Sequence, residues 1–253
     1  MKRGLLILFL LCGALPASAL QIKHFVQTSI GVFDACEETF SYTFNADNTY
    51  DVQTSITTSG TFDTLYPLKA TYHAYGTVEK QKFLPQKYSR SNKTRFNNRS
   101  KEVIYKNGVP QYRISTKNQN RRQDPITPDP QYASSNDLLT TMAEMAAHVN
   151  RTGNCDFEQY SFNGKKYSLS KIKTQGYEKL LTPYFSGMAL KCRYEIEVLD
   201  DADAGFLFSN KEPIEFWLLQ DPATKAYFLA RAIIKNTPLG KLEALTTKIE
   251  VTP

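Results

Sequence analysis

Three histidines, four cysteines and a run of alternating aspartates are the residues of this 253-residue chain best suited to chemistry. His24, His73 and His148 stand far apart, with no GxSxG, HExxH or glycine-rich phosphate loop beside them. No nucleophile elbow, zinc helix or nucleotide cradle is therefore encoded locally. Asp200-Asp201-Ala202-Asp203-Ala204-Gly205 alternates carboxylates ahead of a glycine, as a loop around a hard cation would. It lacks the third acidic position and the distal glutamate of an EF-hand, and reads better as an acidic turn between strands. No catalytic residue, cofactor or metal ligand is assigned, and no enzymatic activity is expected.

The cysteines depend on the compartment. Met1-Lys2-Arg3, an apolar run from Gly4 to Leu15 and Pro16-Ala17-Ser18-Ala19 have the three parts of a signal peptide, with cleavage expected after Ala19. The apolar run, about 12 residues, is shorter than the roughly 20 that a spanning helix needs. Leu11 before Cys12 also stands where a lipidated cysteine would want a small residue. A free periplasmic protein without a transmembrane segment is expected. In that oxidising compartment Cys36, Cys155 and Cys192 give one pair and one left over. A Cys155–Cys192 bond would tie the region of Asn163-Gly164 to a later strand, leaving Cys36 as a small buried side chain or a free thiol.

Charge is distributed unevenly. Lys80 to Arg122 holds 13 Lys and Arg against one acid, Glu102, whereas Glu195 to Lys225 holds eight acids and two lysines. Lys87, Arg90, Lys93, Arg95, Arg99 and Lys101 are the candidate residues of a face for an anionic partner. Basic strands interleaved with Tyr88, Phe96, Tyr105 and Tyr112 have the make-up of a nucleic-acid surface, but export brings lipid, lipopolysaccharide or glycan within reach instead, and nucleic acid is not expected. The plainer alternative is a solvated strand face, or a complement to the acidic segment.

The elements that must position these residues are strands. The 15 Tyr and 15 Phe sit in short runs with Thr, Val and Ile, the residues of a pleated, half-buried surface. Asn107-Gly108 and Asn163-Gly164 lie between strand-like flanks and predict type I′ hairpins. Phe40 to Phe44, turning through Asn45 to Asn48 into Tyr50 to Gln53, predicts a third. Tyr194 to Val198, Ile214 to Leu218 and Tyr227 to Ile234 alternate with period two, as an antiparallel sheet with one wet face requires. Asn136 to Val149 departs from this: Leu138, Leu139, Met142, Met145, Ala146 and Val149 recur at helical steps behind Asn136 and Asp137, an amphipathic helix. Pro125, Pro128 and Pro130 make 123–132 a surface crossing within a single β-rich domain, 20–253.

Several short runs together resemble a family of exported proteobacterial proteins, the domain-of-unknown-function family 3108. They are Gly60 to Tyr66, Tyr72 to Gly76, Phe83 to Tyr88, Ser135 to Leu139, Cys155 with Phe162 to Tyr167, Cys192 with Tyr194, Gly205-Phe206, Pro213, Trp217 and Pro238 to Leu242. The resemblance implies a mainly β fold, a curved antiparallel sheet of half-barrel or β-spiral form packed on one amphipathic helix. It also implies a disulfide between Cys155 and Cys192, and no assigned activity. Asn163 stands where the family's turn has Asp, and Cys36 is additional.

Three functions compete on these grounds. The leading one is a non-enzymatic periplasmic envelope protein that binds an amphipathic or lipid-like ligand, with Leu138, Leu139, Met142 and Met145 in the groove. The second is a structural protein that docks an envelope partner through its basic face or a sheet edge. The third is a hydrolase whose site is assembled only in space.

Overall fold

A computed structural model of the chain describes residues 20–199, 213–237 and 240–252. The expected signal peptide and the acidic run at 200–205 lie outside the described residues. Eight strands come first: β1 (Leu20–Ile30), β2 (Phe33–Phe44), β3 (Thr49–Thr58), β4 (Leu68–Glu79), β5 (Lys82–Thr94), β6 (Asn98–Lys106), β7 (Val109–Lys117) and β8 (Asn120–Pro125). Helix α1 (Gly60–Leu65) interrupts them, and α2 (Leu138–Thr152) follows them. Six further strands follow among the described residues: β9 (Phe157–Phe162), β10 (Tyr167–Leu181), β11 (Ser186–Val198), β12 (Ile214–Gln220), β13 (Tyr227–Thr237) and β14 (Gly240–Thr252).

All fourteen form one antiparallel sheet in the order β8 to β1, then β14 to β9. The first and last strands pair at its centre, from Gln21 opposite Thr252 to Ile30 opposite Leu242. The edges are therefore β8 and β9, and the crossing between them carries α2. The sheet curls around that helix. The β9–β10 turn reaches the opposite wall, where Lys101 Nζ donates to Asn163 O at 3.4 Å and an Arg113 Nη donates to Gly164 O at 3.2 Å. Gly164 (φ +86°) sits so close to this wall that a Cβ would meet Val103 Cγ2 at 2.9 Å.

Alternation does the folding work. In β3, Tyr50, Val52 and Thr54 are buried while Gln53 and Ser55 are exposed, the period-two pattern of a sheet with one covered face. The inward side chains join in an aromatic cluster of Tyr42, Tyr50, Phe83, Tyr88, Tyr105, Phe162 and Tyr167. Gly76 lets β4 and β5 pass at their bulge: a Cβ there would collide with the Leu84 carbonyl and lie 2.9 Å from Pro85 Cα and Tyr50 Cε1.

The helix is fixed at both ends. Asp137 accepts from Thr140 N at 2.9 Å as N-cap, and Gly153 takes the left-handed conformation, φ 71°, donating to Val149 O. It runs three residues beyond the expected Val149. Two other expectations need correction. Residues 123–125 belong not to the surface crossing but to the end of β8, where Pro125 is tolerated because this is an edge. The Asn163-Gly164 turn is not type I′: it spans 163–166, and Asn163 Oδ1 accepts from Lys165 N and Lys166 N, both at 3.0 Å. Asn107 (φ 52°) and Gly108 (φ 74°) do form the left-handed pair that a type I′ hairpin needs.

Candidate functional site: an apolar cavity beside the helix

Inside a curled sheet a helix must bury more than one side. Leu139 and Ala143 pack into the aromatic cluster of the N-terminal strands. Val149 and Met145 join a second cluster on β10 to β12, with Ile172, Leu190, Phe216 and Leu218. The two clusters do not close against each other. Between them, α2 and the strands β1, β2 and β10 to β13 surround an apolar cavity of about 200 Å³ that is partly open. Met142, Met145, Ala146 and Val149 line it from the helix, and Ile22, Ile172, Phe216 and Leu229 from the sheet.

Few polar groups reach this space. The Thr141 hydroxyl meets Ser161 Oγ at 2.9 Å, that of Tyr194 meets Ser170 Oγ at 3.0 Å, and that of Tyr227 meets Tyr177 at 3.2 Å. His24 differs. It is 5% exposed, held edge-on by Tyr42 and Phe228 with ring centroids 6.0 and 6.4 Å away, and its Nε2 has no hydrogen-bond partner among the described residues. Burial lowers its pKa to about 4, so the imidazole is neutral at physiological pH, and an unmade bond at such a buried atom costs about 1–3 kcal/mol. The cavity thus offers apolar walls with a neutral imidazole among them. Such a lining can hold a hydrocarbon chain bearing a polar group, and it presents no ionised group for acid–base work.

Of the four groove residues expected from sequence, Met142 and Met145 line the cavity. Leu139 does not, being buried in the aromatic cluster, and neither does Leu138. Sequence reasoning missed His24, which on β1 looks like any inward strand residue. It also missed the pairing of His73 with Asp51 at 2.6 Å on the outer face. Ser89 lies opposite His73 in the sheet, but no hydrogen bond joins their side chains.

The basic residues do not share one face. Tyr88 and Val103 point inward, so strand alternation sends Arg90, Arg99 and Lys101 to the concave side and Lys87 and Lys93 to the convex side. Lys87 pairs there with Glu102 at 3.2 Å, and Arg95, on a turn, donates to Thr64 O at 3.2 Å. No helix among the described residues is long and apolar enough to cross a membrane.

Cys155 and Cys192 are bonded, Cα atoms 6.1 Å apart, and Cys36 is free. Burial and then the Glu38 carboxylate push the Cys36 thiol up to about 12, far from a reactive thiolate. Over residues 27–244 the sequence matches the family described as protein of unknown function DUF3108. The chain belongs to that family. The DUF3108 chain is also similar to a solved structure, a beta-barrel-like protein of domain of unknown function DUF1849 from Brucella abortus. The two share 8% identity over 94% of this chain and 99% of the other, with a TM-score of 0.54. At that identity the likeness concerns the fold alone. No curated protein matches the DUF3108 chain.

Proposed function

We propose that the mature protein is a non-enzymatic envelope protein of the periplasm that holds the apolar end of an amphipathic, lipid-like ligand between α2 and the sheet. The observation that carries this reading is the apolar cavity between α2 and the sheet, with Met142, Met145 and the buried, neutral His24 in its lining. The disulfide supports an oxidising compartment, and Met142 and Met145 supply flexible side chains that adapt to irregular contents. An engineered cavity of about 150 Å³ takes up benzene, so one of about 200 Å³ has room for a short acyl segment. Roughly seven methylenes at ~0.8 kcal/mol each give about 6 kcal/mol before association costs. A sugar would leave its hydroxyls unpaired here, which favours an acyl chain over a glycan.

The test is a titration of the purified mature protein with cis-parinaric acid, displaced by octanol and octanoate. Saturable binding in the micromolar range, weakened by His24→Phe, is expected. Absence of saturable binding at tens of micromolar would remove the reading.

A further inference from the structure

Exposed apolar side chains stand at both ends of the sheet, Leu181, Tyr184 and Met188 around the β10–β11 turn and a second group at the opposite end, where cations lie behind them. The β1–β2 turn presents Val32 (91% exposed) and Phe33, the end of α1 presents Leu65 and Tyr66, and the β5–β6 turn presents Phe96 (80% exposed). These three projections are joined to one another. Ser59 N, at the start of α1, donates to Ala35 O in β2 at 3.0 Å, and Arg95 Nη2, on the β5–β6 turn, donates to Thr64 O in α1 at 3.2 Å. The β7–β8 turn adjoins them, with Asn98 N donating to Asn118 Oδ1 at 3.1 Å.

Behind these tips, on the concave side, lies a pocket of about 500 Å³ walled by Arg90, Arg99, Lys101, Lys117 and Arg122, with no acidic residue in its lining. Asp124 neutralises Arg122 at 2.6 Å. No ion pair among the described residues reaches Arg90, Arg99, Lys101 or Lys117. The register sets Arg90 directly opposite Lys101, and Arg99 directly opposite Lys117. Like charges facing each other across a strand pair are destabilising, so the fold carries a repulsion that a multiply charged anion would relieve. Burial, then Arg90, Arg113 and Lys165, lower the Lys101 pKa to about 8, a sign of the same crowding.

We infer that this end of the molecule docks on an anionic lipid bilayer, the apolar tips entering the interface while the concave cations take the head-group phosphates. Single large apolar side chains on separate turns suit the boundary of head groups and acyl chains, and cations set just behind them lie at phosphate level. A protein partner would call for a continuous apolar patch instead. The inference goes beyond the cavity and does not rest on it.

Vesicle flotation of the mature protein tests it, using phosphatidylcholine alone and phosphatidylcholine mixed with phosphatidylglycerol, at low and high salt. Binding only to the mixed vesicles, and loss of it in high salt, is expected. The double variant Arg99→Glu with Lys117→Glu, both at exposed positions, should weaken binding by about 25-fold or more, at roughly fivefold for each cation lost. Leu65→Ser with Phe96→Ser should weaken it as well, while parinaric acid uptake stays unchanged in both variants and neither lowers the thermal midpoint. Equal binding to both vesicle types, or full binding by the charge variant, would overturn the inference. So would displacement by pyrophosphate together with indifference to the apolar substitutions, which would make the pocket a site for a soluble oxyanion.

Discussion

Replacing Ala146 with Leu tests whether the space beside α2 is empty. Ala146 lines the cavity from the helix, so three added carbons enter unoccupied volume. At ~0.8 kcal/mol per buried carbon they contribute about 2.4 kcal/mol. Fixing the leucine rotamer costs about 0.5–1 kcal/mol and the helix preference a few tenths more. A net stabilisation of roughly 1 kcal/mol remains, which for a protein of this size raises the thermal midpoint by about 2–4 °C. Urea unfolding should show a higher midpoint with an unchanged slope, since the surface exposed on unfolding barely alters. Parinaric acid binding should fall by at least an order of magnitude, because the leucine takes the ligand's place. Destabilisation by about 1–3 kcal/mol, the usual cost of overpacking, would refute the reasoning, for it would mean that the two core clusters already meet.

Replacing Cys155 and Cys192 together with Ser opens a loop with a sequence separation of 37 and should lower stability by about 4 kcal/mol on the chain-entropy model, read from urea unfolding without reductant. Gly76→Ala should cost about 3 kcal/mol or more, since the atoms it meets include the backbone of β5; a thermal midpoint like that of the parent would show that the bulge yields. Burial raises the Asp137 pKa from 3.8 to about 6, so its protonated form favours folding at low pH, and that contribution is lost as pH rises through 6. Asp137→Asn keeps an acceptor for Thr140 N and removes the charge. Its stability relative to the wild type should therefore improve by roughly 2 kcal/mol between about pH 4 and pH 7. His24, whose pKa is lowered, acts in the opposite sense in both proteins and cancels in the comparison.

Local chemistry made some elements legible and left others hidden. Asn107-Gly108 names its own turn because both residues accept a positive φ cheaply. Lys80-Gln81 (φ 48° and 69°) and Asn118-Gln119 (φ 46° and 78°) turn the same way, but neither pair has the glycine that marks such a turn, and Lys80 and Gln81 carry no signal at all, so the strands β4, β5, β7 and β8 could not be bounded. The Pro-rich stretch concealed β8 because an edge strand tolerates what an inner strand does not. Asp137 and the helical steps behind it exposed α2, since an N-cap and a 3.6-residue period are both local. Nothing local says that β1 pairs with β14, and the cavity depends on that pairing: His24 and Leu229 become neighbours only once the sheet closes at its centre. Met142 and Met145 were legible as an apolar stripe. That Leu139 on the same stripe serves a different cluster follows from the helix being wrapped, not laid on a flat sheet. The basic segment was legible as charge, but strand alternation divides it, and the register selects Arg90, Arg99, Lys101 and Lys117 as the residues that converge.

Native mass spectrometry of the protein, purified without detergent or organic solvent, tests the proposed ligand binding most directly. The wild type should carry a non-covalent adduct that denaturation releases as an acyl-chain amphiphile, and the Ala146→Leu protein prepared alongside should carry none. The bare protein mass from wild type and variant alike, with no amphiphile in the solvent extract of either, would contradict the account.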